Sequence, residues 1–418
     1  MHLRDSVIGL RRILRSMGPG LITGAADDDP SGIATYSQAG AGFGLGMLWT
    51  VVLTFPFMAA TQMVSARIGH VTGKGLTANI RQVFPVPVTI LVVGLLLLAN
   101  LLNIAADIAA MGEAVQLLAG GSAGAYSVAL GLACVLLQVF VPYRSYVRWL
   151  KWLTLSLFSY VAVVLSLHVD WTAVLYAVVH PPLALDRDAL LMIVAVFGTT
   201  ISPYLLFWQA GQEVEERDGN LDATRIRRHL RRIRIDTVIG MAFSNLVAFF
   251  IILCAAVTLH GAGITRIDTS AQAAEALRPL AGPFTFLLFT LGIIGTGLLA
   301  VPVLAGSAAY AATEALGLHG SLSDKLERGE GRFFYAIITV ATLGGVALSF
   351  TPSSAVAELF WAAVINGLIA VPLMAVMMWV ASRRDVMGDH TVGGGLKLLG
   401  WLSTALMASA AGALLLSL

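Results

Sequence analysis

One segment near the N-terminus reads Gly18-Pro-Gly-Leu-Ile-Thr-Gly-Ala-Ala-Asp-Asp-Asp-Pro-Ser-Gly-Ile-Ala-Thr-Tyr36. It is apolar towards both ends, but its centre holds three carboxylates followed by a proline and a glycine. Hydrocarbon tolerates neither ionised groups nor a broken helix, unless that backbone faces protein or a water-filled cavity. The interruption therefore predicts a binding site within a membrane-spanning helix.

The composition is that of an integral membrane protein. Of 418 residues, 57% are hydrophobic and 12% are charged, whereas soluble domains are typically about 25% charged. A net charge of +2 gives no indication of a nucleic-acid partner. We expect an all-α polytopic protein of the bacterial cytoplasmic membrane, a monomer whose surroundings are the lipid bilayer.

Apolar runs long enough to cross the bilayer recur along the whole chain. A spanning helix needs about 20 mostly apolar residues, and this rule predicts eleven transmembrane helices. Their approximate bounds are 18–41, 46–68, 87–115, 123–142, 150–168, 188–212, 236–258, 283–315, 334–350, 356–382 and 396–418.

The positive charges predict the orientation. If residues 1–17 form a cytoplasmic N-terminal segment, all but three of the 26 Lys and Arg residues fall on cytoplasmic segments. The exceptions are Arg187, Arg266 and Arg278. This asymmetry follows the positive-inside rule, and it places the C-terminus outside the cytoplasm.

The segment 213–235 between the sixth and seventh spans is rich in arginine. Ile226, Leu230 and Ile233 recur there at helical spacing. The pattern predicts a cytoplasmic amphipathic linker, and two interpretations stay open. It is either an interfacial helix held at anionic headgroups or a solvated basic loop that fixes the topology.

The sixth span contains a second interruption, Gly198-Thr-Thr-Ile-Ser-Pro-Tyr204. Pro203 cannot donate its backbone hydrogen bond, and the hydroxyls before it can satisfy freed backbone groups. Breaks in spans one and six, which cross in opposite directions, are typical of an inverted repeat with its substrate site at the midplane. We therefore predict repeats at 18–168 and 188–382, with 396–418 as an additional span.

The acids of the first break favour a cation. Asp27, Asp28 and Asp29 place three carboxylates within one helical turn, which is costly without a counter-cation. Asp29 directly precedes Pro30, an arrangement that also caps the N-terminus of a helix. Capping and ion binding both stay open for Asp29, and Asp27 could equally face a vestibule.

Two motifs resemble the Nramp family of divalent-metal transporters. The first, Asp29-Pro-Ser-Gly-Ile-Ala-Thr35, is similar to that family's Asp-Pro-Gly-Asn-x-Ala-Thr. The second, Gln62-x-x-Ser-Ala-Arg-x-Gly-x-Val-Thr-Gly-Lys74, matches its second-span signature and is the more specific of the two. The resemblance implies a LeuT-like fold, with a 5+5 inverted repeat and broken first and sixth helices.

The resemblance carries over only part of the family's metal site. The aspartate corresponds to Asp29 and the carbonyl-donating alanine to Ala26, but Gly32 stands in place of the asparagine. Ser202 replaces the methionine thioether and Tyr204 replaces the histidine.

Hydroxyl, carboxylate and carbonyl oxygens favour a hard ion. We expect import of Mg²⁺ or Mn²⁺ by alternating access, with Asp29, Ala26, Thr199 and Ser202 as metal ligands and Asp28 nearby. No bound cofactor is expected.

Candidates for coupling lie in spans three and eight. Asp107 matches the first acid of the family's Asp-x-x-Glu pair, while Ala110 stands at the glutamate position. A proton relay would rest on Asp107 and Glu113, because no histidine falls in the middle of a span. For Asp107, a contact that holds helices together is the other open interpretation. Thr296 and Ser307 could form a Na⁺ site, or could simply allow close packing.

A second hypothesis keeps the fold and changes the substrate. The hydroxyls of Thr199, Thr200, Ser202 and Tyr204, with the N–H groups at Gly32 and Tyr204, could hold a small anion such as bicarbonate. The aspartates would then bind a coupling Na⁺.

A channel or receptor is disfavoured because no filter-like repeat or signalling domain is evident, and no nucleophile–base pair indicates an enzyme. The sequence assigns no role to Asn366 or Glu358.

Overall fold

The structure is a computed structural model, and it describes residues 19–142, 145, 153–181, 186–217, 223–318, 320–322, 331–351 and 353–417. The predicted cytoplasmic segment 1–17 lies outside the described residues. The described chain is built from α-helices with short 3-10 turns, and no strand occurs within these ranges.

The α-helices are numbered here in chain order. They are α1 Pro19–Asp27, α2 Pro30–Phe43, α3 Leu48–Thr72, α4 Leu76–Val83, α5 Val86–Ala119, α6 Ala123–Phe140, α7 Phe158–Ser166, α8 Trp171–Val179, α9 Arg187–Thr200, α10 Pro203–Glu215, α11 Ala223–Thr258, α12 Ser270–Ala274, α13 Arg278–Ala281, α14 Thr285–Leu316, α15 Arg332–Leu348, α16 Ala355–Ala381, α17 Arg384–Met387 and α18 Gly394–Ser417.

Within the described ranges, each of the eleven predicted spans overlaps helix. By length and hydropathy, the described residues contain eight stretches able to cross a membrane, or nine if the pair 155–166 and 171–179 counts as one span. That pair bends by 114°, and Arg332–Leu348 is a shorter apolar helix. The all-helical membrane fold is confirmed, while the number eleven stays a prediction.

Both predicted helix breaks are present. The first falls between α1 and α2, where Asp29 has an extended backbone and Pro30 occupies the first turn of α2. The second falls between α9 and α10, where Ser202 is extended and Pro203 begins the new helix. Proline suits the first turn because it has no N–H to leave unpaired. Both halves can therefore stay helical on either side of each break.

The second-span motif is a packing surface between α3 and α10. Ser65 donates its hydroxyl to the backbone oxygen of Leu206. One turn further along α3, a Cβ at Gly69 would lie 2.2 Å from the backbone oxygen of Ala210. Small residues four apart lie on one helix face, so these two let α3 and α10 approach at backbone distance. The motif thereby fixes the half-helix that follows the second break.

The predicted linker at 213–235 differs from the observed structure. α10 continues to Glu215, and α11 begins at Ala223 and runs without a break to Thr258. The arginine-rich residues 225–234 therefore form the first turns of the seventh span rather than a separate helix or loop. The hydrophobic spacing is the same in both arrangements, so the sequence pattern did not distinguish them.

In the described part of the chain, five short helices lie outside the predicted spans, namely α4, α8, α12, α13 and α17, and α8 is the longest of them. α8 contains only nine residues and is too short to span the bilayer. Asp170 caps it by accepting hydrogen bonds from the backbone of Thr172 and Ala173. Leu175 and Tyr176 are among its exposed apolar residues, a pattern typical of a helix at the membrane surface.

Candidate ion-binding site

Asp29 caps α2 with one carboxylate oxygen. Its Oδ1 accepts hydrogen bonds from the backbone N–H of Gly32 and from the Ser31 hydroxyl, both at 2.7 Å. The side chain is 1% exposed. The capping role that the sequence left open is therefore present. It uses one oxygen and leaves Oδ2 directed elsewhere.

Tyr204 joins the two breaks. Its hydroxyl lies 3.2 Å from the carbonyl oxygen of Ala26 and 3.3 Å from Asp29 Oδ2. Ala26 belongs to the last turn of α1, Asp29 precedes α2, and Tyr204 is in the first turn of α10. One phenol group thus lies between the two oxygens that the sequence predicted as metal ligands.

The end of α9 contributes hydroxyl and carbonyl oxygens. Ser202 donates its hydroxyl to the backbone oxygen of Thr199 at 2.7 Å. Thr200 donates to the Val196 carbonyl at 2.5 Å, and its oxygen lies 3.3 Å from the Tyr36 hydroxyl. The Thr199 hydroxyl is buried without a hydrogen-bond partner in the described part of the chain. The sequence pattern did not identify Tyr36 as part of this group.

Gly32 is held close to the second break. A Cβ at this position would lie 3.2 Å from Thr199 Oγ1 and 3.3 Å from Tyr36 Cε2. These separations are tight for an added side chain. The Tyr36 ring and Thr199 therefore occupy the space that a larger residue at position 32 would need.

Asp27 and Asp28 share one serine. The Ser244 hydroxyl lies 2.6 Å from Asp27 Oδ2 and 3.1 Å from Asp28 Oδ1. A hydroxyl has one proton to donate, so it cannot fully satisfy both carboxylates. Ser244 is on α11, whose sequence gives no motif around it. Only the packing of α11 against α1 and α2 brings it to the break.

Asp107 on α5 faces the same region. It is fully buried, and neither carboxylate oxygen makes a hydrogen bond of good geometry within the described ranges. It lies close enough to Asp29 and to the Ser31 N–H to interact with them electrostatically. A buried carboxylate without a hydrogen bond of good geometry is costly. The site therefore has a fourth acid whose oxygens are available.

Glu113 lies about 9 Å further along α5 than Asp107, at 1.5 Å of rise per residue. Its two oxygens accept hydrogen bonds from the Ser270 hydroxyl at 2.7 Å and from the Ala355 backbone N–H at 3.1 Å. These bonds connect α5 to the beginnings of α12 and α16. The structure thus places Glu113 in a connection between helices, apart from the two breaks.

The predicted Na⁺ candidates have hydroxyls that are already engaged. Thr296 donates to the Gly292 carbonyl on its own helix at 3.0 Å. Ser307 donates to Leu304 and accepts from the Asn100 amide at 2.7 Å. Asn103 likewise donates to Asn366 at 3.0 Å. The packing interpretation accounts for these contacts.

The site as a whole is rich in oxygen and negative charge. Several buried oxygens around the breaks lack a hydrogen-bond partner among the residues described: Asp27 Oδ1, Thr35 Oγ1, Asp107 Oδ1, Asp107 Oδ2 and Thr199 Oγ1. No Lys or Arg is buried anywhere in the described ranges. Hard cations prefer carboxylate, carbonyl and hydroxyl oxygens, so the arrangement is suited to such an ion.

Comparison with known proteins agrees with this architecture. A sequence model of the family described as "Natural resistance-associated macrophage protein-like", Nramp, matches residues 20–417. A curated relative from Verminephrobacter eiseniae, named divalent metal cation transporter MntH, is 27% identical over 393 residues. That alignment covers 91% of this chain and 84% of the relative. These relatives are transporters and not enzymes.

Solved structures show the same fold. A mutant of the Eremococcus coleocola manganese transporter superposes with a TM-score of 0.79 at 16% identity, covering 96% of this chain and 86% of that one. Mhp1, a nucleobase-cation-symport-1 family transporter, superposes with a TM-score of 0.64 at 15% identity, covering 96% and 91%. The fold is LeuT-like, and with the family model matching nearly its whole length, this chain belongs to the Nramp family.

Proposed function

We propose that the protein imports a hard divalent cation, Mg²⁺ or Mn²⁺, by alternating access, and that the ion binds between the two breaks. The observation that carries this proposal is the convergence of Asp27, Asp28, Asp29 and Asp107 in a buried region. No buried Lys or Arg lies within the described residues to neutralise them. A divalent ion supplies the missing positive charge. The names of the relative and of the solved transporter support a metal substrate.

The donor atoms support a hard ion. Asp29, Ala26, Thr199 and Ser202 offer only oxygen, and Tyr204 adds a phenol oxygen. Thioether and imidazole ligands favour borderline ions, whereas Mg²⁺ prefers oxygen and keeps several of its waters. In this proposal a few protein oxygens coordinate the ion and water molecules complete its coordination. Asp28 and Asp107 add negative charge around it.

The proposed entry route is a cavity at the end of the molecule opposite the arginine-rich turns of α11. A cavity of about 610 Å³ is lined there by residues that include Gln38, Asp186, Asp188 and Asp268. Gln38 lies about 14 Å along α2 from Asp29, at 1.5 Å per residue. Carboxylates around such a mouth concentrate cations. In the charge-based orientation this cavity faces the outside, so an ion entering it moves inward.

The contacts argue against the anion alternative. The Gly32 N–H that would bind an anion already donates to Asp29 at 2.7 Å, and the Tyr204 hydroxyl lies 3.3 Å from the same carboxylate. An anion placed here would face Asp29 and Asp107 with no buried basic side chain beside it in the part that the structure describes.

Uptake into liposomes tests the proposal. Proteoliposomes should take up Mn²⁺ or Mg²⁺ faster than empty liposomes, and Asp29→Ala should reduce uptake to the empty level. Asp170→Asn is the matched control, because Asp170 caps the peripheral helix α8 and asparagine caps equally well. Divalent uptake equal to that of empty liposomes, together with Na⁺-dependent bicarbonate uptake, would overturn the proposal.

A further inference from the structure

Three potential metal ligands from different helices meet at the arginine-rich end of the molecule. They are His70 in the last turn of α3, Glu213 in the last turn of α10 and His229 near the start of α11. His70 and Glu213 are each 1% exposed. Tyr204 and Glu213 are about 14 Å apart along α10, at 1.5 Å per residue. The cluster is therefore separate from the ion site at the breaks.

The three side chains are close enough to share one ion. One donor atom from each lies within 4.8 Å of the other two. The imidazole rings stack with centroids 4.1 Å apart, and His229 Nε2 is 3.8 Å from Glu213 Oε2. Two ligands of a tetrahedral ion, each about 2.1 Å from it, lie about 3.4 Å apart. Side-chain rotations that close the separations by about 1.4 Å or less would bring all three onto one ion.

The hydrogen bonding of the cluster is incomplete. Neither ring nitrogen of His70 has a hydrogen-bond partner within the described ranges, and neither does Glu213 Oε2. Buried polar atoms are almost always satisfied by protein, water or an ion. Among the residues described, the His70 imidazole has two nitrogens without hydrogen bonds, and Glu213 has one such carboxylate oxygen. These atoms are therefore available to bind a metal ion.

The electrostatic surroundings allow a cation. Glu216 and Asp236 interact with Glu213, and Arg232 partly offsets them. Arg217 lies near His70. The group thus has three carboxylates against two guanidinium groups. His70 and Glu213 also stand at the C-terminal ends of their helices, where the backbone carbonyls attract positive charge.

We propose that His70, Glu213 and His229 form a second metal site, selective for a borderline divalent ion, with Zn²⁺ as the best fit. Two imidazoles and one carboxylate are a common Zn²⁺ ligand set, and imidazole disfavours Mg²⁺. Water completes the tetrahedron. The bound ion fastens the ends of α3 and α10 to the start of α11, so it holds the half-helix after the second break. The proposed Zn²⁺ site does not depend on which ion binds between the two breaks and is transported.

Calorimetric titration of the full chain in detergent with ZnCl₂ alone tests this site. The Asp29→Ala protein should bind one Zn²⁺ through the cluster. Loss of a partner that merely orients a ligand costs about 10- to 100-fold in metal affinity. Removing a ligand by His70→Ala or Glu213→Gln in the same background should therefore weaken binding by at least about tenfold.

His180→Ala is the matched control, because His180 is an exposed histidine stacked on Tyr176 and is not part of the cluster. It should leave Zn²⁺ affinity unchanged. His70→Gln serves if His70→Ala does not fold, because glutamine fills similar space without an imidazole. Equal Zn²⁺ affinity in the parent and in a folded His70 variant overturns the proposal. So does the absence of Zn²⁺ binding in the folded Asp29→Ala protein.

Discussion

The hydroxyl of Tyr204 lies 3.3 Å from Asp29 Oδ2, although 175 positions separate the two residues in the chain. The same hydroxyl lies 3.2 Å from the Ala26 carbonyl. Each break alone could be a kink in a helix. The shared phenol group brings the two breaks into contact. An ion bound by Ala26 and Asp29 would either displace this hydroxyl or be coordinated by it.

Tyr204→Phe should lower stability in metal-free detergent solution. The change leaves Asp29 Oδ2 and the Ala26 carbonyl without their shared donor, and an unsatisfied buried acceptor costs about 1–3 kcal/mol. Saturating Mn²⁺ should reduce the difference in stability between Tyr204→Phe and the parent protein, because the ion supplies the missing partner. Thermal unfolding of both proteins with and without Mn²⁺ measures this. A loss of stability that is the same with and without Mn²⁺ would place the Tyr204 hydroxyl outside the ion site.

Ser202→Met should shift selectivity towards softer ions. The thioether replaces a hydroxyl that now donates to the Thr199 carbonyl, and sulfur favours Mn²⁺ or Cd²⁺ over Mg²⁺. Competition binding should show the Cd²⁺ to Mg²⁺ affinity ratio rising by about tenfold or more, which corresponds to about 1.4 kcal/mol. Ser202→Ala is the control, because it removes the oxygen without adding sulfur. An unchanged ratio in Ser202→Met would show that position 202 does not contact the ion.

Asp107→Asn should have opposite effects on ion affinity and on metal-free stability. It removes a buried negative charge that makes no good hydrogen bond within the described residues, so the metal-free protein should be at least as stable as the parent. Divalent-ion affinity should fall, because the site loses one of four carboxylates. Calorimetry and thermal unfolding report the two quantities separately. If Asp107→Asn binds the ion with the same affinity as the parent protein, Asp107 contributes only to helix packing.

Gly69→Ala should disrupt the contact between α3 and α10. The new Cβ would lie 2.2 Å from the Ala210 carbonyl oxygen, and overpacking of this kind typically costs about 1–3 kcal/mol. Gly94→Ala, on a helix surface with nothing within 4 Å of the new Cβ, should be neutral or stabilising by up to about 1 kcal/mol. Thermal unfolding compares the two. Equal stabilities would show that α3 and α10 can separate without cost.

The sequence predicted the local features of the site and missed those created by packing. Asp29 and Pro203 interrupt apolar runs, and the cost of a broken helix in hydrocarbon makes both breaks visible without a structure. Ser244 could not be found this way, because a serine within an apolar helix gives no indication of which neighbour it faces. The bond between Tyr204 and Asp29 likewise depends on how two distant half-helices are placed.

The arginine-rich region shows a different limit. Ile226, Leu230 and Ile233 have helical spacing whether they form a separate surface helix or the first turns of the seventh span. No breaker residue follows them before Thr258 that would end the helix, other than Gly240, and a single glycine is tolerated within a helix. The continuous helix α11 is what brings His229 to His70 and Glu213, so that cluster was also beyond prediction.

Binding of a divalent cation between the two breaks can be observed in an anomalous-scattering map from crystals of the full chain soaked in Mn²⁺. We expect a peak within coordination distance of an Asp29 oxygen, beside the Ala26 carbonyl and facing Asp107. Mn²⁺ peaks confined to other places, including the cluster of His70, Glu213 and His229, with none at Asp29, would contradict it.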